Sequence, residues 1–166
     1  MYIEFGQLPD DARVWIYQAD QPIGVDSKSV IDSSLKAFTN NWAAHGHALQ
    51  ASFTILDDHF IVLAVNERYN DASGCSIDSS VHIIKYLTEE TGIDFFNRRL
   101  VALQLQDGIS LIPTTELRQK FEEGIWNGQT PTFNTLATSV ADVRNNWLIP
   151  AGATWLKKYV KGTAVV

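Results

Sequence analysis

Phe60-Ile61-Val62-Leu63-Ala64-Val65 runs six residues without a polar side chain, and Val14-Trp15-Ile16-Tyr17 runs four. Both are rich in β-branched and aromatic residues, and neither alternates, so each reads as a strand buried on both faces. Two other stretches behave differently. In residues 48–56, Leu49, Ala51, Phe53 and Ile55 alternate with Gln50, Ser52 and Thr54, and in residues 100–106, Val101, Leu103 and Leu105 alternate with Gln104 and Gln106. A period of two with one polar set marks a strand with one wet face.

Helical stripes separate these strands. Ile31, Leu35, Phe38 and Trp42 recur at helical steps after Ser29 and Asp32, which have capping-box spacing. Ile77, Val81, Ile84 and Leu87 form a second stripe that starts near Ser76 and stops at Gly92. The order is then β-α-β-β-α-β, the split unit of ferredoxin-like folds. That topology puts its first and third strands in the centre, where the two wholly apolar runs fall. Asp107-Gly108 predicts a hairpin into a fifth strand at residues 109–112.

After Pro113 the pattern predicts helical pieces at 116–126, from the Ser139/Asp142 capping box onward, and at 154–161. Central strands apolar on both sides need a second cover. The aromatic C-terminal residues Phe121, Trp126, Phe133, Trp147, Trp155 and Tyr159 are expected to supply it. The expectation is an α+β protein forming a single domain over 1–166. Residues 1–112 would give the ferredoxin-like antiparallel sheet, its fifth strand and two helices, and 113–166 a helical C-terminal extension.

Composition narrows the function classes. Among 166 residues, 45% are apolar and 19% charged, which excludes an acidic disordered chain. Thirteen Lys and Arg stand against 19 Asp and Glu, a formal charge of −6. So acidic a chain is not expected to grip nucleic acid over a wide face. No apolar run nears the roughly 20 residues a membrane helix needs, and the opening Met-Tyr-Ile-Glu-Phe does not read as a signal peptide. A single cysteine fits a reducing compartment, so a cytoplasmic protein is expected.

The expected topology gathers three connections at one end of the sheet: residues 42–47, residues 66–76 and the turn at Asp107. His45 and His47 then face Ser73-Gly74-Cys75-Ser76, with Asp107 nearby. A helix N-terminus favours a thiolate, so Cys75 is a candidate nucleophile, His45 or His47 its base and Asp107 the group that orients the imidazole. Ser73, Gly74, Ser76 and Asp78 are the candidate ligand-binding residues at the same helix start. The same string also reads as plain architecture. Ser73, Ser76 and Asp78 are common helix-start residues, Cys75 would be a small buried hydrophobe, and the two histidines would close a helix C-terminus.

A metal would have to be held by His45, His47 and Cys75 with Asp107 or Asp78. The chain has no Cys-x-x-Cys or His-Glu-x-x-His spacing, and His59 and His82 fall elsewhere, so neither metal nor other cofactor is expected. Residues 22–29 end in Lys28-Ser29 but lack the glycines of a phosphate-binding loop. No Gly-x-Gly-x-x-Gly or Gly-x-Ser-x-Gly occurs. Glu89-Glu90 and Glu122-Glu123 read as solvated helix faces. Arg98-Arg99 and Lys157, Lys158 and Lys161 read as small basic spots.

Trp42-Ala43-Ala44-His45-Gly46, Ala72-Ser73-Gly74-Cys75-Ser76-Ile77-Asp78-Ser79-Ser80 and Asn146-Trp147-Leu148-Ile149-Pro150 carry a family resemblance over nearly the whole chain. The chain resembles short proteins of Bacteroidetes bacteria that are often labelled ABC transporter ATPases. The resemblance implies a bacterial, cytoplasmic protein and assigns no residue a role. The Walker A loop, Walker B strand and Leu-Ser-Gly-Gly-Gln signature that such an ATPase needs are missing from the sequence.

Two functions from different classes fit these observations. One is a binding module without turnover, for a small molecule or a protein partner, with a homo-oligomer open and neither nucleic acid nor membrane expected. Five Trp, five Tyr and eight Phe favour it, because aromatics are enriched at interfaces. The other is a thiol-dependent enzyme built on Cys75 with His45 or His47.

Overall fold

The computed structural model describes residues 1–160; Lys161, the last residue of the helix expected at 154–161, lies outside the described residues. In chain order the elements are β1 (Arg13–Gln18), α1 (Val25–Asn41), β2 (Ala43–Ala44), β3 (His47–Ala48), β4 (Ala51–Leu56), β5 (Phe60–Val65) and α2 (Gly74–Thr91). They continue with β6 (Leu100–Leu105), β7 (Gly108–Pro113), α3 (Leu117–Glu122), β8 (Pro131–Phe133), α4 (Val140–Asn145), β9 (Leu148–Pro150) and α5 (Lys157–Val160). The content is mixed α+β with open antiparallel sheets. The chain divides into two compact units: Met1–Phe96 with Thr135–Arg144, and Asn97–Asn134 with the chain from Asn145.

In the first unit, β5 lies between β1 and β4, antiparallel to both. All six β5 residues are buried, as an unbroken apolar run requires. One face carries Phe53, Ile61 and Leu63 against Ile31 and Leu35 of α1 and Ile84 and Leu87 of α2. Those four helix residues are wholly buried and fall on the stripes read from the sequence. The opposite face carries Val14, Val62 and Ala64, covered by Leu8, Ala12, Ala137, Val140 and Val143. A second cover exists, but α4 and the N-terminal segment supply it, not the C-terminal aromatics. Arg144 fastens that cover: one guanidinium nitrogen pairs with Asp10 at 2.8 Å and another donates to the Phe5, Gly6 and Leu8 carbonyls at 3.1–3.3 Å.

The β1-β5-β4 order is the order expected for the first three ferredoxin-like strands. The fourth departs from it. Leu100–Leu105 does not pair with β1, which stands at the border of a three-stranded sheet and, among the described residues, meets a bridge between Arg13 and Ser139 on its outer side. Apolar character on both faces therefore reports covering on both faces, not a central place in the hydrogen-bond ladder. Local expectations were also shifted. Helix α1 begins at Val25 behind Gly24, so Ser29 is an exposed interior residue and no cap.

The second unit has its own sheet, ordered β7-β6-β8-β9. The expected β6–β7 hairpin forms, with Leu105 opposite Gly108, so the two turn residues are Gln106 and Asp107. On its other side β6 meets β8, where Leu103 lies opposite Thr132 and the Thr132 hydroxyl donates to the Ala102 carbonyl at 2.8 Å. Both sides of β6 are thereby occupied. The core is Leu103, Ile112, Leu117, Trp126, Ala151 and Leu156. The segment after residue 113 is not the run of helices expected: β8 and β9 interrupt it, and α3, α4 and α5 span only six, six and four residues.

Candidate functional site

Trp42 ends α1, and three residues later the chain reverses. His45 (φ 52°) and Gly46 (φ 78°) both take left-handed conformations between β2 and β3. That is the two-residue turn whose twist suits a hairpin, and Gly and His accept it more readily than a β-branched residue would. His45 and His47 are therefore exposed hairpin residues and not the C-terminal cap of a helix.

The hairpin is fixed against the start of α2. The Trp42 indole Nε1 donates to the Ser76 carbonyl at 2.8 Å in a buried position. Asn70 Nδ2 donates to the His47 and Ala48 carbonyls at 3.2 and 3.3 Å. Asn66 Nδ2 holds the loop's other end to Gln50 Oε1 at 2.6 Å. Residues 42–48 and 66–76 thus meet at one end of the first unit's sheet, as the strand directions require.

Ser73 is the α2 N-cap. Its Oγ accepts from the Ser76 amide at 3.1 Å, and Ser76 Oγ accepts from the Ser73 amide at 2.7 Å and donates to the Ser73 carbonyl at 2.8 Å. Both hydroxyls are spent on the capping box, and Ser76 is 2% exposed. Gly74 has open space where a Cβ would stand, so the protein itself makes no demand for glycine there. Asp78 is exposed one turn into the helix.

Cys75 is exposed, which removes the reading of a buried, inert thiol. Among the described residues no hydrogen bond joins it to His45 or His47, and no group of three His, Cys, Asp or Glu side chains converges on a metal-sized space. Asp107 is carried by the β6–β7 turn of the second unit. Leu100–Leu105, expected to bring Asp107 to the Cys75 end by joining the first sheet, pairs instead with β7 and β8.

A groove that none of the sequence motifs marks lies between α1 and α2. It is open, about 620 Å³ in volume, and lined by Ser34, Ala37, Phe38, Asn41, Trp42, Ala43, Ser79, Ile83 and Tyr86. Its walls follow from helical spacing: Ser34, Ala37, Phe38 and Asn41 form one stripe of α1, and Ser79, Ile83 and Tyr86 one stripe of α2. Cys75 precedes Ser79 by one turn, and the Ser79 hydroxyl donates to the Cys75 carbonyl at 3.0 Å. The thiol therefore stands at the head of the stripe that forms one wall. The Phe38 and Trp42 rings meet at a tilt with 4.9 Å between their centres, and Tyr86 is 46% exposed. The signal was present in the sequence as Ser34, Ala37 and Asn41, small or polar residues flanking an apolar stripe.

No helix among the described residues is long and apolar enough to cross a membrane. Comparison of the chain with protein-family models, with curated proteins and with solved structures finds no match.

Proposed function

We propose that the first unit is a binding module without turnover, and that its site is the α1–α2 groove. The supporting observation is the wall chemistry. Phe38, Trp42, Ile83 and Tyr86 give an apolar and aromatic surface, and Ser34, Asn41 and Ser79 give three neutral polar groups. Among the described residues no charged side chain lines it, so the reading is of a neutral, largely apolar ligand with an aromatic or aliphatic body. The compartment in this reading is the cytoplasm, for which the exposed free thiol of Cys75 argues.

The test is titration with N-phenyl-1-naphthylamine, a neutral aromatic probe whose emission rises in apolar surroundings. Saturable one-to-one binding is expected, weakened at least ten-fold by Ala37→Trp, which fills the groove from an exposed helix position. Equal binding by both proteins, or none by either, would overturn the reading.

A second reading, thiol-dependent turnover, keeps one observation in its favour: Cys75 is exposed and stands one helical turn before Ser79, a wall residue of the groove. Hydrolysis of p-nitrophenyl acetate that persists unchanged in Cys75→Ser removes it.

A further inference from the structure

The two units carry opposite charge. Residues 97–134 with 145–166 hold seven Lys and Arg against four Asp and Glu, while the remaining residues hold six against fifteen. Within the positive unit, two cations gather on one aromatic cluster. The Arg118 guanidinium lies 5.5 Å from the Tyr159 ring centre, and Lys158 Nζ lies 5.1 Å from that of Trp155 and 5.2 Å from that of Tyr159. Trp155 and Tyr159 meet edge to face at 6.2 Å, and Trp126, 1% exposed, anchors Tyr159 from the core at 6.1 Å. Arg118, Lys157 and Lys158 are exposed, and Trp155 is 47% exposed. Among the described residues none of these three cations forms an ion pair; Lys120 with Glu123 at 3.7 Å is the pair found in this unit.

We infer that the Arg118–Tyr159–Lys158–Trp155 cluster is a docking surface for an acidic segment of a partner protein, a site separate from the α1–α2 groove. Charge complementarity selects the occupant. Three exposed cations without carboxylate partners favour carboxylates: the Arg118 fork takes one bidentately and the lysines act as point charges. The exposed face of Trp155 offers apolar contact beside them, and Trp and Arg are the residues that dominate interface energies. The aromatic rings hold Arg118 and Lys158 in place, which lowers the ordering cost of binding. Nucleic acid fits less well. It is gripped through a run of phosphate contacts, and here the cations are few and tethered to a unit rich in carboxylates.

The experiment uses the full chain and a fluorescein-labelled hexaglutamate peptide, read by anisotropy. The expected result is saturable binding that weakens at least ten-fold between low and physiological salt. Affinity should fall at least ten-fold in Arg118→Ala/Lys158→Ala and in Trp155→Ala, and stay unchanged in Lys85→Ala, which removes an exposed lysine of the other unit. Absence of saturable binding, or equal loss in Lys85→Ala, overturns the proposal. Tighter binding of an oligothymidylate of equal charge, or of phosphatidylserine vesicles, that is lost in the double variant overturns it in favour of nucleic acid or membrane. Salt-sensitive self-association lost in the double variant, without hexaglutamate binding, overturns it in favour of a second copy of the chain.

Discussion

The indole Nε1 of Trp42 lies 2.8 Å from the carbonyl oxygen of Ser76, thirty-four residues away in sequence, and the bond is buried. It ties the end of α1 to the first turn of α2, and Trp42 is also a wall of the groove between them. The Ser76 amide and hydroxyl are already taken by Ser73, so the indole contact and the capping box lock the same turn.

Trp42→Phe keeps an aromatic ring but removes the donor, leaving the Ser76 carbonyl buried without this partner. The expected loss is about 2 kcal/mol, combining the lost indole bond with the lost volume; the carbonyl keeps its place in the α2 ladder. Urea denaturation should show a lower midpoint with an unchanged slope. Affinity for N-phenyl-1-naphthylamine should fall in parallel. A change under about 0.5 kcal/mol would show that the bond does not hold the turn.

Arg144→Lys tests the cover over the second face of the first unit. Arginine reaches Asp10 and three carbonyls of residues 5–8 through two nitrogens of a rigid fork, and a lysine cannot reproduce that geometry. The expected cost is about 1–2 kcal/mol, most of it from the carbonyl contacts, since the Asp10 pair is solvent-facing. Asp10→Asn, which removes only the ion pair, should cost less. Equal costs in the two variants would place the effect in the ion pair.

Much of this cover was legible only in part. Phe60–Val65 announced its two-sided burial, whereas in Val14–Tyr17 Val14 is buried and Trp15, Ile16 and Tyr17 are half-buried on a border strand. What covers a face is a matter of distant sequence, and Val140 and Val143 look no different from the apolar residues of any short helix. The fate of Leu100–Leu105 was hidden for a related reason. Its alternation fits an outer strand of the first sheet equally well, and its true partners are a local hairpin and a three-residue strand beginning at Pro131, too short to show a period. The meeting of residues 42–48 with 66–76 was legible because strand direction alone dictates it. The exposure of Cys75 was not, since the capping residues around it read the same for a buried or an exposed thiol.

Thr88 in α2 carries a buried hydroxyl that finds no hydrogen-bond partner among the described residues. A desolvated, unpaired hydroxyl opposes folding, and valine has nearly the same shape without it. Thr88→Val should stabilise the first unit by about 1 kcal/mol, read as a higher urea midpoint. A destabilised variant would mean that the hydroxyl has a partner in solution.

Tyr17 gives the fold a specific sensitivity to alkali. Its ring stands on the helix-facing side of β1, edge to face with Phe96 at 5.8 Å. Burial raises its phenol above the usual value of 10.0, and the neighbouring Ser80 hydroxyl only partly opposes this. A phenol whose folded-state value is raised stays protonated in the folded protein at a pH where the unfolded chain already ionises. Its contribution is therefore whole below about pH 10 and is lost as pH climbs through the folded-state value. Tyr17→Phe removes the ionisation together with the Ser80 contact. The variant should lose about 1 kcal/mol at pH 7 and then show a shallower decline than the parent between about pH 9.5 and 11. Urea midpoints across that range measure both limbs. Parallel declines would mean that the Tyr17 hydroxyl is solvated and that the alkaline limb belongs to other groups.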